Sequence, residues 1–294
     1  MASIEVFTDS SCDYSRDYAA KEHISIVPLT VSFGDRQFKD GVDIDGAAFF
    51  RLLKENPDIL PKTSAPNPDD FIKAFRSVGS DCEDIICVTI SSKSSGTFNS
   101  AMIAKDILSE EHDFKPRIII FDTYNATIAV GIIASTAADM ATKGKTVDAI
   151  MKRLNEMRDR TSFYCILDTL EYLRKGGRIG TVKAVLGTLL NIKPILTFIN
   201  GTPTDIDKTR GLMQAQMKLI NLFIDRSANL KEVYIIHAAS IDCAKGLANE
   251  LGKLVKDIKF KIFEVGAVIG TYSGPGAIGL AFEEKPKILT LAFK

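Results

Sequence analysis

The feature that most constrains this chain is an alternation of short β-branched runs with longer stretches of helical periodicity. The runs fall at 4–8, 24–33, 84–90, 117–123, 162–167, 192–199, 232–238 and 261–266, and helical patterns fill 45–55, 67–78, 97–110, 126–143, 147–158, 211–227 and 241–256. Strands that alternate with helices predict an α/β fold with largely parallel sheets. Asp45 and Asn67 stand where helix N-caps are expected. At Asn67-Pro68-Asp69-Asp70 the cap precedes a proline at the first helical position and two acids that complement the helix dipole.

At 294 residues the chain is long enough for two domains, each with its own core. The polar stretch RLNEMRDRTS (153–162) marks the expected boundary, giving domains 1–160 and 161–294. Asn200-Gly201 predicts a hairpin, so the second domain should carry a mixed sheet. The 37 basic and 37 acidic side chains cancel, which argues against a dedicated nucleic-acid or membrane-surface binder. The balance is uneven along the chain. Residues 1–160 hold 19 basic and 25 acidic groups (19 − 25 = −6), and residues 161–294 hold 18 and 12 (18 − 12 = +6). Five scattered cysteines form no CxxC pair, and Cys87 and Cys165 read as buried thiols of a reducing compartment. No signal-peptide pattern or membrane-length apolar run is present, so a cytoplasmic protein without membrane insertion is expected.

The segment Ser91-Ser92-Lys93-Ser94-Ser95-Gly96-Thr97 follows one strand pattern and opens a helix. Backbone N–H groups, hydroxyls and a helix dipole gathered at the carboxyl end of a parallel strand suit an anion; an ordinary capped turn is the bland reading. Lys62-Thr63-Ser64-Ala65-Pro66-Asn67-Pro68 is a second polar loop before a helix, which taken alone reads as a capped turn. Gly274, Gly276 and Gly279 match GxGxxG formally, but Pro275 lies inside the motif and the ribose-binding acid would fall beyond Lys294. Gly144-Lys145-Thr146 lacks the first P-loop glycine, and there is no GxSxG or HExxH. His237 closes a strand and reads first as a satisfied structural residue, and no metal site is expected. Arg174, Lys175 and Arg178 flank Gly176-Gly177 in a basic turn that is either solvated or docks an acidic partner or a phosphate.

Seven segments in this order resemble the DegV family of bacterial fatty-acid-binding proteins: TDSSCD (8–13), KTSAPNP (62–68), SSKSSGTFNSA (91–101), FDT (121–123), LEYLRKGGRIG (170–180), IKPIL (192–196) with Lys208-Thr209-Arg210, and GTYSGPGAIG (270–279). The resemblance implies two α/β domains with a long-chain fatty acid, of about palmitate size, in an apolar tunnel between and beneath them. It implies no cofactor and no catalysis by this chain alone. Thr63 and Ser95 would bind the carboxylate, with Ser64, Ser94, Gly96 and Tyr272 as supporting contacts. The family commonly has His at the position of Tyr272, where a phenol can still donate a hydrogen bond. Family members present the fatty acid to an ATP-dependent fatty acid kinase for acyl-phosphate and phospholipid synthesis. Arg174, Lys175, Arg178 and Arg210 would form the docking face for that partner. The competing reading is a small-molecule phosphotransferase or hydrolase working at an inter-domain cleft.

Overall fold

The computed structural model describes residues 3–180, 182, 192–227, 230 and 232–285. Four parallel strands form the first sheet, in the spatial order Ile24–Val27, Ser3–Asp9, Cys82–Thr89 and Arg117–Asp122. Its centre is buried on both faces, which is why Cys82–Thr89 reads as a nearly unbroken apolar run rather than an alternation. Ile85 and Cys87 pack with Phe71, Phe75, Ala104 and Leu108 of helices Pro68–Arg76 and Thr97–Ser109. Ile86 and Val88 point the other way, into a core shared with the second sheet.

The second sheet has six strands, in the order Thr202–Arg210, Ile192–Ile199, Thr161–Ile166, Ile278–Glu283, Glu232–His237 and Lys259–Glu264. All neighbours are antiparallel except the last pair. The mixed sheet and the Asn200-Gly201 hairpin are as expected. Helices Leu212–Arg226 and Ile241–Leu254 cover its outer face through Ala215, Leu219, Phe223, Leu247 and Leu251. Helix Ile128–Thr142 lies between the sheets. It buries Ile128, Val130, Ile133, Ala134 and Ala137 against Val6 and Ile86 on one side and Phe163 and Ala281 on the other. A helix whose first turns are this apolar is expected in such a buried position.

Three elements depart from the sequence pattern. The run 24–33 is two strands, because Pro28 has no N–H for the parallel ladder. Thr30–Phe33 instead pairs with Arg36–Lys39 and Lys62–Ser64 in a small antiparallel sheet, so the Thr63 loop is an edge strand. The glycine-rich stretch near 270–279, to which the strand and helix patterns assign no element, supplies the end of helix Ala267–Ser273 and the start of strand Ile278–Glu283, a central strand of the second sheet. Both predicted caps are present. Asp45 accepts from Ala48 N, and Asn67 and Asp70 form a reciprocal capping box.

Candidate functional site

The hydroxyl-rich loop is fixed before it presents anything. Asp9 Oδ2 accepts from Ile90 N at 2.8 Å where the strand ends, and Ser91 N donates to Asn125 O at 2.9 Å. Ser91 is fully buried and donates its hydroxyl to Gly201 O at 2.7 Å, so the hairpin tip of the second sheet is pinned to this loop. The amides of Ser94 and Ser95 both donate to Ser91 O, at 3.0 and 3.1 Å. The sequence reading of free backbone N–H groups is therefore corrected, since those two amides are consumed within the loop. What the loop offers is side chains. Ser95 Oγ lies 2.8 Å from Thr97 Oγ1, and Ser94 Oγ donates to Gly201 O at 3.3 Å.

The loop meets two other elements. Thr63 sits on the edge strand Lys62–Ser64, paired with Val31, and its hydroxyl lies 2.5 Å from the phenol of Tyr272. Tyr272, on helix Ala267–Ser273, carries the Arg178 guanidinium over its ring at 5.1 Å. Arg178 also donates from Nε to Ser94 O at 3.4 Å and from Nη1 to Gly176 O at 3.0 Å. Two glycines make this crowding possible. A Cβ at Gly176 would stand 2.5 Å from Tyr272 Cδ1, and one at Gly274 would stand 2.2 Å from Tyr172 Cδ2.

Thr63, Ser94, Ser95, Arg178 and Tyr272 line one cavity, which encloses about 960 Å³ of atom-free space with its mouth. Almost all the remaining lining is apolar: Leu29, Ile90, Phe163, Leu167, Leu173, Leu196, Phe198, Ile236, Val265, Val268, Ile269 and Ile278 among it. Cys165 also lines it, with burial pushing its thiol up to about 12, so it behaves as an apolar wall group. His237 touches the cavity but is buried, its imidazole driven toward the neutral form by desolvation, and its Nδ1 accepts from Ser240 N at 3.3 Å.

The structure sorts the predicted residues. Thr63, Ser94, Ser95 and Tyr272 come together. Ser64 and Gly96 are exposed and do not line the cavity; Gly96 instead brings the serine loop against Ala65. Of the four cations taken as one face, Arg178 belongs to the cavity mouth. Arg174 and Lys175 are exposed beside it in sequence, and Lys175 pairs with Glu171 at 2.6 Å. Arg210 ends the strand whose start, Thr202, is beside the hairpin tip; at about 3.3 Å per residue those ends are roughly 26 Å apart. Arg210 therefore does not share a patch with Arg178. The sequence reading missed the apolar walls, because Phe163, Phe198 and Ile236 look like any alternate-face strand residues.

A family model described as "Uncharacterised protein, DegV family" matches residues 3–285. A DegV domain-containing protein of Caldanaerobacter subterraneus is 33% identical over 291 residues, covering 97% of this chain and all of the relative. Among solved structures, a DegV family protein from Thermus thermophilus described by its fatty acid binding superposes with a TM-score of 0.87 at 29% identity, over 95% of this chain and 99% of that one. A DegV family protein from Eubacterium eligens loaded with heptadecanoic acid gives 0.83 at 27% identity, over 96% and 100%. With the fold, the order of motifs and the length all matching, this chain belongs to the DegV family.

Proposed function

We propose that this protein binds a long-chain fatty acid, its carboxylate between Thr63 and Ser95 and its tail along the apolar cavity. The observation that carries this reading is one cavity with a cluster of hydroxyl donors and a guanidinium at its mouth and apolar walls behind them. A carboxylate at that mouth would meet the hydroxyls of Thr63, Ser95 and Tyr272, with Arg178 supplying the compensating charge. The descriptions of the Thermus and Eubacterium relatives as fatty-acid-binding or fatty-acid-loaded support it.

In this reading the chain is a carrier that works with no cofactor, and residues 1–160 and 161–294 are its two domains. Presentation to an ATP-dependent kinase follows from the family resemblance. Arg174 and Lys175, exposed and close to Arg178 in sequence, are the docking cations we favour, and Arg210 would serve only as a separate contact. The phosphotransferase or hydrolase alternative needs a base at the serine, yet the hydroxyl partner of Ser95 is Thr97. The test is direct: protein purified from bacteria is extracted with organic solvent and analysed by mass spectrometry. About one equivalent of a C14–C18 acid is expected. No extracted acid, with no uptake of added palmitate by the stripped protein, would overturn the proposal.

A further inference from the structure

The six-stranded sheet ends on Lys259–Glu264, which pairs with Glu232–His237 on one side only. Val265 N donates to His237 O at 2.9 Å, and this bond sets the phase of the parallel ladder. Alternate residues of a strand bond to opposite sides, so Lys261 and Phe263 turn their amides and carbonyls inward, as Val265 does its amide. Those of Phe260, Ile262 and Glu264 then point away from the sheet. Among the described residues they have no backbone partner.

An open strand edge is a template for further pairing, and proteins blunt such edges with proline, bulges or projecting lysines. The opposite edge of this sheet, Thr202–Arg210, carries Pro203 and a register shift between Asp205 and Asp207. Lys259–Glu264 has neither. Its Lys261 is folded back on the protein, with Nζ 2.8 Å from Glu232 and 3.1 Å from the Tyr18 hydroxyl, over the rings of Tyr18 and Tyr234.

A second cavity, about 950 Å³ with its mouth, adjoins this edge. Ile262, Phe263 and Glu264 border it from the strand, while Arg16, Tyr18 and Asp45 border it from the first half of the chain. Its accessible acids are Asp45, which is exposed, and Glu264, which is half-buried. Neither has a cationic partner among the described residues. Asp45 accepts from Ala48 N, and Glu264 stands 3.8 Å from the His237 imidazole, which desolvation drives toward the neutral form. Burial raises the Glu264 carboxyl above its ordinary value and the charge of Asp45 raises it further, so the two acids repel each other. Asp13 and Asp40 are buried, which pushes them up to about 8 and about 6, and they serve the chain by accepting from Gly266 N and Ala267 N.

We propose that Lys259–Glu264 is an interaction edge, to which an extended segment of a partner protein adds as one further strand, with a Lys or Arg side chain directed to Asp45 and Glu264. Such a segment supplies what each feature lacks. Its main chain pairs with Ile262 and Glu264, its side chains alternate between the two faces, and its cation offsets the repulsion between the two acids. The edge is distinct from Thr63 and Ser95, and the proposal does not rest on fatty-acid binding.

The test uses the full chain and a set of blocked peptides, about eight residues long, in which Val, Ile, Phe or Thr alternates with Lys. A matching set carries Glu in place of Lys. Binding is read by fluorescence anisotropy, and the tightest lysine peptide is then N-methylated on one alternate set of residues or on the other. A strand uses one edge only, so one methylated form should bind at least about tenfold more weakly and the other within about threefold of the parent. Ile262→Pro, which removes an outward amide, should also weaken binding at least about tenfold. Glu264→Gln combined with Asp45→Asn, which keeps the helix cap, should weaken it roughly two- to tenfold. On binding, hydrogen exchange of the Ile262 and Glu264 amides should slow. Should Ile262→Pro fail to fold, the two methylated peptides and the amide exchange of the unmodified protein still decide. No binding of any lysine peptide at about 1 mM would overturn the proposal. So would equal binding of the Glu set, equal effects of the two methylations, unchanged amide exchange, or a dimer of this chain that protects 259–264 without peptide.

Discussion

Replacing Thr63 by Val removes one hydroxyl and keeps the side-chain shape, so it isolates the head-group contact from the rest of the cavity. A hydrogen bond to a carboxylate contributes about 1.5–3 kcal/mol, against about 0.5–1.5 kcal/mol for a neutral one. In the free protein Thr63 already bonds the Tyr272 phenol, and that neutral bond is lost in the variant too. The difference, about 1–1.5 kcal/mol, corresponds to a roughly five- to twelvefold rise in Kd. Ser95 has the same arithmetic, because its hydroxyl is bonded to Thr97 when no ligand is bound. Adding Ser95→Ala should bring the total loss to about 2–3 kcal/mol, or roughly 30- to 150-fold. Binding should survive even so, since about 14 methylenes at ~0.8 kcal/mol each supply on the order of 11 kcal/mol gross. The assay is titration of delipidated protein with palmitate and, in parallel, with methyl palmitate. The ester keeps the tail but not the charge, so both variants should bind it within about threefold of the unmodified protein. Equal weakening of acid and ester would mean that the substitutions deform the cavity. Unchanged affinity for the acid would mean that the carboxylate lies elsewhere.

Two further outcomes concern the frame around the site. Gly274 has φ +63° and ψ 175°, a region open essentially to glycine, and a Cβ there would stand 2.2 Å from the Tyr172 ring. Gly274→Ala should therefore cost about 2–4 kcal/mol and lower Tm by roughly 4–10 °C, read from a thermal melt, and an unchanged Tm would show that the ring gives way freely. The second outcome is a pH dependence. Asp13 and Asp40 have folded-state pKa values raised to about 8 and about 6, so the native state holds protons that the unfolded state has lost. Their stabilisation is complete below the ordinary carboxylate range and is lost as pH rises, through about 6 for Asp40 and about 8 for Asp13. Urea unfolding should show stability falling between pH 5 and 8 by up to about 1.4 kcal/mol per unit for each such group, and Asp13→Asn should flatten the upper part of that slope. A parallel slope in the variant would refute the assignment.

What could be read from the chain before any coordinates follows the range of the forces involved. Helix caps such as Asn67 and the hairpin at Asn200-Gly201 are local, so the residues that make them are also the residues that reveal them. The split of 24–33 was legible in principle from Pro28. The pattern of aliphatics across it was simply stronger than the one missing donor. Helix Ala267–Ser273 was hidden by its Gly, Thr and Ser content, which disfavours helix locally; packing against Phe49 and Phe50 overrides that preference. Within the site, four serines in one loop looked equivalent. Only the hairpin arriving from residue 201 makes Ser91 a buried strut and leaves Ser95 at the cavity.

The charge split along the sequence shows the same limit in another form. A formal −6 over residues 1–160 treats every carboxyl as ionised, yet Asp13 lies in that half with its pKa at about 8 and so stays largely protonated at neutral pH. The acidity of the first half is thus partly latent, stored at Asp13 as a neutral acid where the first half meets Gly266 of the second. On the basic side the +6 does not resolve into one patch. Arg153 and Arg160, just before the boundary, are already committed to Glu283 across it, at 2.6 and 3.2 Å. Arg178 is drawn to the cavity mouth and Arg210 to the far end of its hairpin. Net charge per half therefore predicts neither face. A cation's use is set by the carboxylate, ring or carbonyl that folding brings to it, and Arg178, whose partners Ser94 and Tyr272 are 84 and 94 residues away (178 − 94 and 272 − 178), owes its role to contacts that local sequence does not contain.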